Sequence, residues 1–283
     1  PRTPRPDVGA PAGQGGHPAR GRPVSLPRRA SIRSEAPAAT ARPLSYLLRR
    51  PSQPRFRTMD PALRKLQPEL ERAAQALELP LSAEQGAHLL AYLELLQRWN
   101  RVYNLTAVRE PEAMLRQHLV DCLAVLPPLR RELAAMALER TPAVLDVGSG
   151  GGLPGVVLAV MEPALTVTCV DTVAKKAGFV RQVAAELRLP NLRAEHARVE
   201  DLKPVRPFDI VTSRAFASLG DFVALTRGAL APQGCWMAMK GAVPDDEIAA
   251  LPPTIDVFHV EQLAVPGLEA RRCLVWMRPR ERA

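Results

Sequence analysis

Apolar residues recur along this chain at two periods, and the change from one to the other falls near residue 140. From Met59 to about Leu129 the spacing is helical. "PALRKLQPELERAAQALEL" is followed by Pro80, and Ser82 with Gln85 three residues on predicts a capping-box start for a helix over "AEQGAHLLAYLELLQRWNRVYN". In that helix Leu89, Leu93, Leu96 and Val102 recur at helical spacing, with Tyr92, Leu95 and Trp99 widening the face. A third helix, near "EPEAMLRQHLVDCLAVL", is expected to open at Pro111 and stop at Pro127 and Pro128. After Pro142, short apolar runs alternate with helical segments. The expected strands are "AVLDVG", "TVTCVD", "LRAEHAR", "FDIVTSR", "CWMAMKG", "DVFHVEQL" and "RCLVWMR", with helices starting near Leu153, Ala174, Leu219 and Asp245. The pattern predicts an α/β domain over 141–283 with a mostly parallel, seven-stranded sheet, preceded by a helical cap over 59–140. No internal repeat is present.

The first strand runs into "DVGSGGGLPG", and a glycine-rich turn after a strand holds one of a few ligand types. A triphosphate loop needs a lysine for the terminal phosphates, and none lies between Asp146 and Met161. A dinucleotide loop is harder to dismiss. Gly150, Gly152 and Gly155 match G-x-G-x-x-G, and Asp171 lies at the end of the next strand. Asp146, two residues before Gly148, favours a third choice, because a carboxylate beside the loop repels a pyrophosphate and suits a cationic cofactor. S-adenosylmethionine carries a sulfonium and an ammonium and no phosphate. The glycines, Gly148 and Gly150 among them, then allow close backbone approach, and Asp171 can accept the two ribose hydroxyls. Asp146 as a mere cap on the turn, with the glycines serving geometry alone, is the plainer alternative.

The strings "LDVGSGGGLPG", "VDTVAKKAGFVRQVAAEL", "HARVEDL", "FDIVTSRAFASL", "MKG" followed by "DDEIAAL", and upstream "WNRVYNLTAVREPEAMLRQHLVDC" occur in this order from about Met59 to about Met277. Together they resemble the bacterial 16S ribosomal RNA guanine-N7 methyltransferase G family, also called glucose-inhibited division protein B. The resemblance implies a Rossmann-like class I fold that moves a methyl group from S-adenosylmethionine to N7 of a guanine in the 530 loop of 16S rRNA, with naked RNA or the 30S particle as partner. Carried over position by position, it implies cofactor contacts at Gly148 and Leu153, at Val199 and Glu200 flanking the adenine, and at Arg214 after the fourth strand. Gly151 stands where relatives often have proline or alanine, which implies a looser loop, and Cys122 stands where they often have serine.

Guanine N7 has an unprotonated lone pair at neutral pH, so no dedicated general base is expected, and the sequence has no N-P-P-Y, D-P-P-Y or Pro-Cys string for other methyl acceptors. Arg214, at the carboxyl end of the sheet where ligands of such folds bind, is the positioning candidate, either for the cofactor carboxylate or for the guanine. Glu200 reads equally as half of a solvated acidic pair with Asp201. A nicotinamide-dependent oxidoreductase and a non-catalytic ribosome-associated RNA-binding protein are the competing classes.

Charge changes the picture at one end. The chain carries +9 formally, but residues 1–58 contain 12 arginines, no lysine and only Asp7 and Glu35, so the remainder is close to neutral. That segment also holds 11 of the 29 prolines and no apolar period, and reads as a disordered basic tail. It is a mis-called start, a transit-like segment or a nucleic-acid-binding arm. RNA contact in the rest must then come from local patches. Candidates are Lys175, Lys176, Arg181, Lys240, Arg101, Arg109, Arg116 and His118. Trp99 and Tyr103, one turn apart, are expected in the core. The four cysteines show no C-x-x-C and no histidine at ligand spacing, so no metal is expected. No run approaches membrane-spanning length. A cytoplasmic monomer is the expectation.

Overall fold

The computed structural model describes residues 60–214 and 216–280; the basic segment 1–58 lies outside them. The helix expected over 61–79 is two helices, α1 (Pro61–Arg64) and α2 (Gln67–Ala76). Pro68 accounts for the break: it has no amide hydrogen, and its ring crowds the carbonyl four residues back, at Arg64. Helix α3 (Ala83–Tyr103) begins with the expected capping box. Ser82 Oγ accepts from the Gln85 amide at 3.1 Å, and Gln85 Oε1 accepts from the Ser82 amide at 3.0 Å. Its buried stripe of Leu89, Leu93 and Leu96 continues to Asn100. Val102 is 71% exposed, which corrects its placement on that face: two residues beyond Asn100 is about 200° round the helix.

Helix α4 (Pro111–Met114) passes through a π-helical turn (Leu115–Val120) into α5 (Asp121–Leu123). Pro127 and Pro128 do not merely stop this helix. They sit in the first turn of a helix the periodicity did not reveal, α6 (Leu126–Met136), where a missing amide hydrogen is harmless.

The strands are β1 (Ala143–Val147), β2 (Thr166–Asp171), β3 (Leu192–His196), β4 (Phe208–Ser213), β5 (Leu230–Lys240), β6 (Ile255–Gln262) and β7 (Cys273–Pro279). Between them lie α7 (Gly155–Met161), α8 (Ala174–Glu186), α9 (Leu219–Thr226) and α10 (Asp245–Ala249). The sheet order is β3-β2-β1-β4-β5-β7-β6, with β7 antiparallel to both its neighbours and every other pairing parallel. All seven expected strands are present.

Alternation along the strands divides the core. Val144, Val167, Ile210, Met237 and Trp276 point to one face, where they share a core with α3, α5, α7 and α8. Leu145, Val211, Trp236 and Val275 point to the other, against Phe222 and Val223 of α9. Helix α7 lies between the sheet and the helices preceding it, and none of its seven residues is exposed. Among the described residues no helix is long and apolar enough to cross a membrane.

Candidate functional site

The turn after β1 is assembled from backbone. The amides of Gly148 and Ser149 both donate to the Val170 carbonyl, at 2.9 and 3.2 Å, tying the loop to the end of β2. Gly148, Gly150 and Gly152 have φ of +64°, +57° and +87°, the region where a side chain is strained. Their surroundings differ. A methyl group on Gly148 would meet nothing within 4 Å, whereas one on Gly152 would stand 2.6 Å from Val156 Cγ2 and one on Gly155 2.4 Å from Cys169 Sγ. Gly148 therefore leaves an open cradle at the strand end, and Gly152 and Gly155 let α7 sit tightly against the sheet. From the other side, Tyr92 of α3 donates its hydroxyl to the Gly151 carbonyl at 2.7 Å. A Cβ on Gly151 would stand 3.1 Å from Leu96 Cδ1, so the chain's glycine lets this helix approach closely.

Two carboxylates hold the loop. Asp146 is completely buried; its Oδ2 accepts from the Gly155 amide at 2.8 Å, and its Oδ1 has no partner. Burial pushes its carboxyl up to about 7, against the pull of the Gly155 amide and the Arg214 guanidinium. Asp146 thus lies beneath the turn and holds it to the start of α7 through the Gly155 amide. Asp171 closes the loop: Oδ2 accepts from Gly150 N and Oδ1 from Val173 N, at 2.9 and 2.8 Å. Each oxygen retains a lone pair. The Leu153 side chain is packed in the core, which leaves only its backbone to face a ligand. Val199 and Glu200 lie on a 3-10 turn (Val199–Asp201) just after β3; Val199 is buried, and Glu200 accepts from Arg198 at 2.9 Å.

Across the same sheet end, a cleft of about 270 Å³ is lined by Gln117, His118, Asp121, Arg214, Lys240 and Arg272, together with Met239 and Gly241. Arg214, just past β4, donates to the Gln117 carbonyl at 3.0 Å and lies 3.5 Å from Asp121 Oδ2. Asp121, 2% exposed, accepts from Arg272 Nε through its other oxygen at 2.6 Å. The π-helical turn ends at this aspartate, and such turns are frequent at functional sites.

The structure disperses much of the expected basic rim. His118 is buried, its Nε2 2.8 Å from Thr106 Oγ1 and its Nδ1 without a partner. Burial, aided by Arg214, lowers it to about 4, so at neutral pH it is an uncharged wall of the cleft and no cationic RNA ligand. Lys240 is bound to Glu247 at 2.8 Å, Arg116 to Glu69 at 2.7 Å, and Arg181 donates to the Ala194 carbonyl. Lys176 lies 3.9 Å from Asp171. Lys175, Arg101 and Arg109 remain on the surface. Trp99 is half-buried against Phe179, as expected, whereas Tyr103 stacks on it from outside and is 40% exposed. Sequence reasoning missed Tyr92 as a loop contact, and also Asp121 and Arg272. Their partners lie 59, 93 and 151 residues away, and only the position of Asp121 in an otherwise apolar helical stretch signalled a role.

A mostly parallel sheet with an antiparallel β7, an acid-tipped β1 feeding a glycine cradle and a carboxylate at the end of β2 define a class I S-adenosylmethionine-dependent methyltransferase. Residues 85–275 match the family described as rRNA small subunit methyltransferase G, and the chain belongs to that family. It is 65% identical over 207 residues to the Ribosomal RNA small subunit methyltransferase G of Leptothrix cholodnii, covering 73% of this chain and 93% of that one. The protein of the same name from Methylibium petroleiphilum is 62% identical over 208 residues, covering 74% and 92%. That of Paracidovorax citrulli is 59% identical over 221 residues, covering 76% and 90%. Family membership displaces the oxidoreductase reading of the glycine loop.

Proposed function

We propose that this chain methylates N7 of a guanine in the 530 loop of 16S rRNA, presented as RNA or within the 30S particle, and that it works as a monomer in the cytoplasm. The observation that carries the reading is the open glycine cradle at the end of β1 with Arg214 just past the end of β4, the adjacent strand. The donor set fits the cofactor. The loop has no lysine for a phosphate, a carboxylate with an unpartnered oxygen lies beneath it, and the Arg214 guanidinium is close enough to act on that carboxylate. When bound, S-adenosylmethionine supplies an electrophilic methyl group on its sulfonium.

The chain's own residues then divide the work. Gly148 and Gly150 admit the cofactor close to backbone, with Leu153 contributing backbone only. Asp171 offers its remaining lone pairs to the ribose hydroxyls, and Val199 and Glu200 flank the adenine. Arg214 pairs with the cofactor carboxylate, its guanidinium braced on Gln117 and Asp121. N7 needs no proton removed before it attacks, so alignment is the main service, worth up to about 7–11 kcal/mol in well-oriented systems. His118 suits this division. Uncharged at neutral pH, it shapes the cleft without adding to the positive charge of Arg214 and Arg272.

Mass analysis of 16S rRNA from cells lacking the protein checks the assignment. The expected result is loss of a single N7-methylguanine in the 530 loop, restored by the wild-type chain. An unchanged modification pattern contradicts it.

A further inference from the structure

The antiparallel course of β7 has a chemical result. Its first residue, Cys273, pairs with Lys240 at the last position of β5, so Arg272 arrives at the sheet end where β1, β4 and β5 finish. There it meets Asp121, which also touches Arg214. A single buried carboxylate thus holds two guanidiniums in one cleft, and both line its wall. The two are not equivalent. Arg214 follows β4, the neighbour of β1; Arg272 precedes β7, three strands from β1, or about 14 Å at the usual strand spacing of about 4.8 Å. Although both guanidiniums share Asp121, Arg272 is carried by the strand farther from the glycine cradle.

We infer that Arg272 binds a phosphate of the RNA strand carrying the target guanine, and that Asp121 is the residue that positions it. This rests on the methyltransferase reading above and extends it to the substrate. Asp121 engages Nε of Arg272, and NH1 donates to the Arg271 carbonyl at 2.8 Å. That leaves NH2 for an anionic oxygen, a planar donor geometry that suits phosphate. Lys240 is the weaker choice, since its ammonium already lies between both oxygens of Glu247 at 2.8 and 2.9 Å. The cofactor carboxylate is the other anion within the class. Arg214 follows the strand next to β1 whereas Arg272 sits two strands farther along the sheet, so the cofactor carboxylate falls to Arg214 and the RNA phosphate to Arg272.

Two measurements on the full chain test this: methylation of a 16S rRNA fragment across a salt series, and direct binding of the same fragment without turnover. Arg272→Ala is expected to raise the RNA KM about tenfold, as for loss of one charged hydrogen bond. It should also flatten the dependence of log affinity on log salt by about 0.7, the share of one phosphate contact on a single strand. S-adenosylmethionine affinity by calorimetry should stay at the wild-type value. Arg272→Lys keeps the charge, so the salt slope should return while part of the affinity stays lost. Asp121→Asn should raise the RNA KM, and added to Arg272→Ala it should cost less than the two losses combined. The inference is overturned if Arg272→Ala lowers thermal stability and leaves RNA KM and salt slope alone, or if it weakens the cofactor as much as the RNA. A wild-type chain that binds the fragment with this salt signature yet transfers no methyl group would break the methyltransferase reading and leave the phosphate contact standing.

Discussion

The two halves of the sheet end are made of different materials. On the β1–β2 side the site is backbone: glycines at positive φ, amides bound to Val170, and two carboxylates spent mostly on the loop itself. On the β4–β5–β7 side it is side chain: Arg214, Arg272 and Lys240, with buried Asp121 between the first two. A cofactor that is the same in every turnover can be met by fixed backbone. A flexible polyanion is better met by guanidiniums, whose attraction acts over distance and falls with salt.

Removing Arg214, which follows the strand adjacent to β1, should have the largest effect. Arg214→Ala is expected to lower methylation at least about 100-fold, the scale seen when a single preorganised donor is removed. Cofactor affinity should fall with it, while circular dichroism and thermal melting report an intact fold. Near-normal turnover would mean that the two halves meet through some other group. Within the backbone half, Gly155→Ala places a methyl 2.4 Å from Cys169 Sγ and 2.9 Å from Asp146 Oδ2. Neither neighbour can move without disturbing β1 or β2. A loss of about 1–3 kcal/mol in denaturant-measured stability is expected, whereas Gly148→Ala, with open space and only backbone strain, should cost less.

The last effect is a slope. Asp146 is held near 7 in the folded chain, well above its ordinary carboxylate value, chiefly by burial. The folded form therefore favours the protonated group, and this contribution to stability is complete below about pH 4 and is lost as pH rises through about 7. Relative to wild type, Asp146→Asn should gain stability across that interval by at most about 1.4 kcal/mol per pH unit. His118, shifted the opposite way, contributes equally to both proteins and cancels. Parallel curves for the two proteins would show that the carboxylate beneath the loop is ionised throughout.

The same contrast governs what was legible in the sequence. The strands were readable because each is a short apolar run set off by helical segments or turns, and the glycine cradle because its members lie close together in the sequence. Asp146 was found, although its carboxylate proved to be fully buried beneath the loop. Helix α6 was lost because Pro127 and Pro128 signal an end and a beginning alike. His118 was misjudged because a histidine's charge depends on burial that no local pattern shows. Asp121 and Arg272 were invisible as a pair, since only the reversal of β7 brings residues 151 positions apart within 2.6 Å.

Helix α7, with no residue exposed, bears on attempts to treat the sheet as a portable module. A chain trimmed to begin at Pro142 would turn one side of that helix toward water and remove the Tyr92 hydroxyl from Gly151. The trimmed protein would then acquire a sticky apolar flank beside an unbraced loop. Moving this unit onto another scaffold therefore requires carrying α3 along, as part of the glycine loop's own foundation.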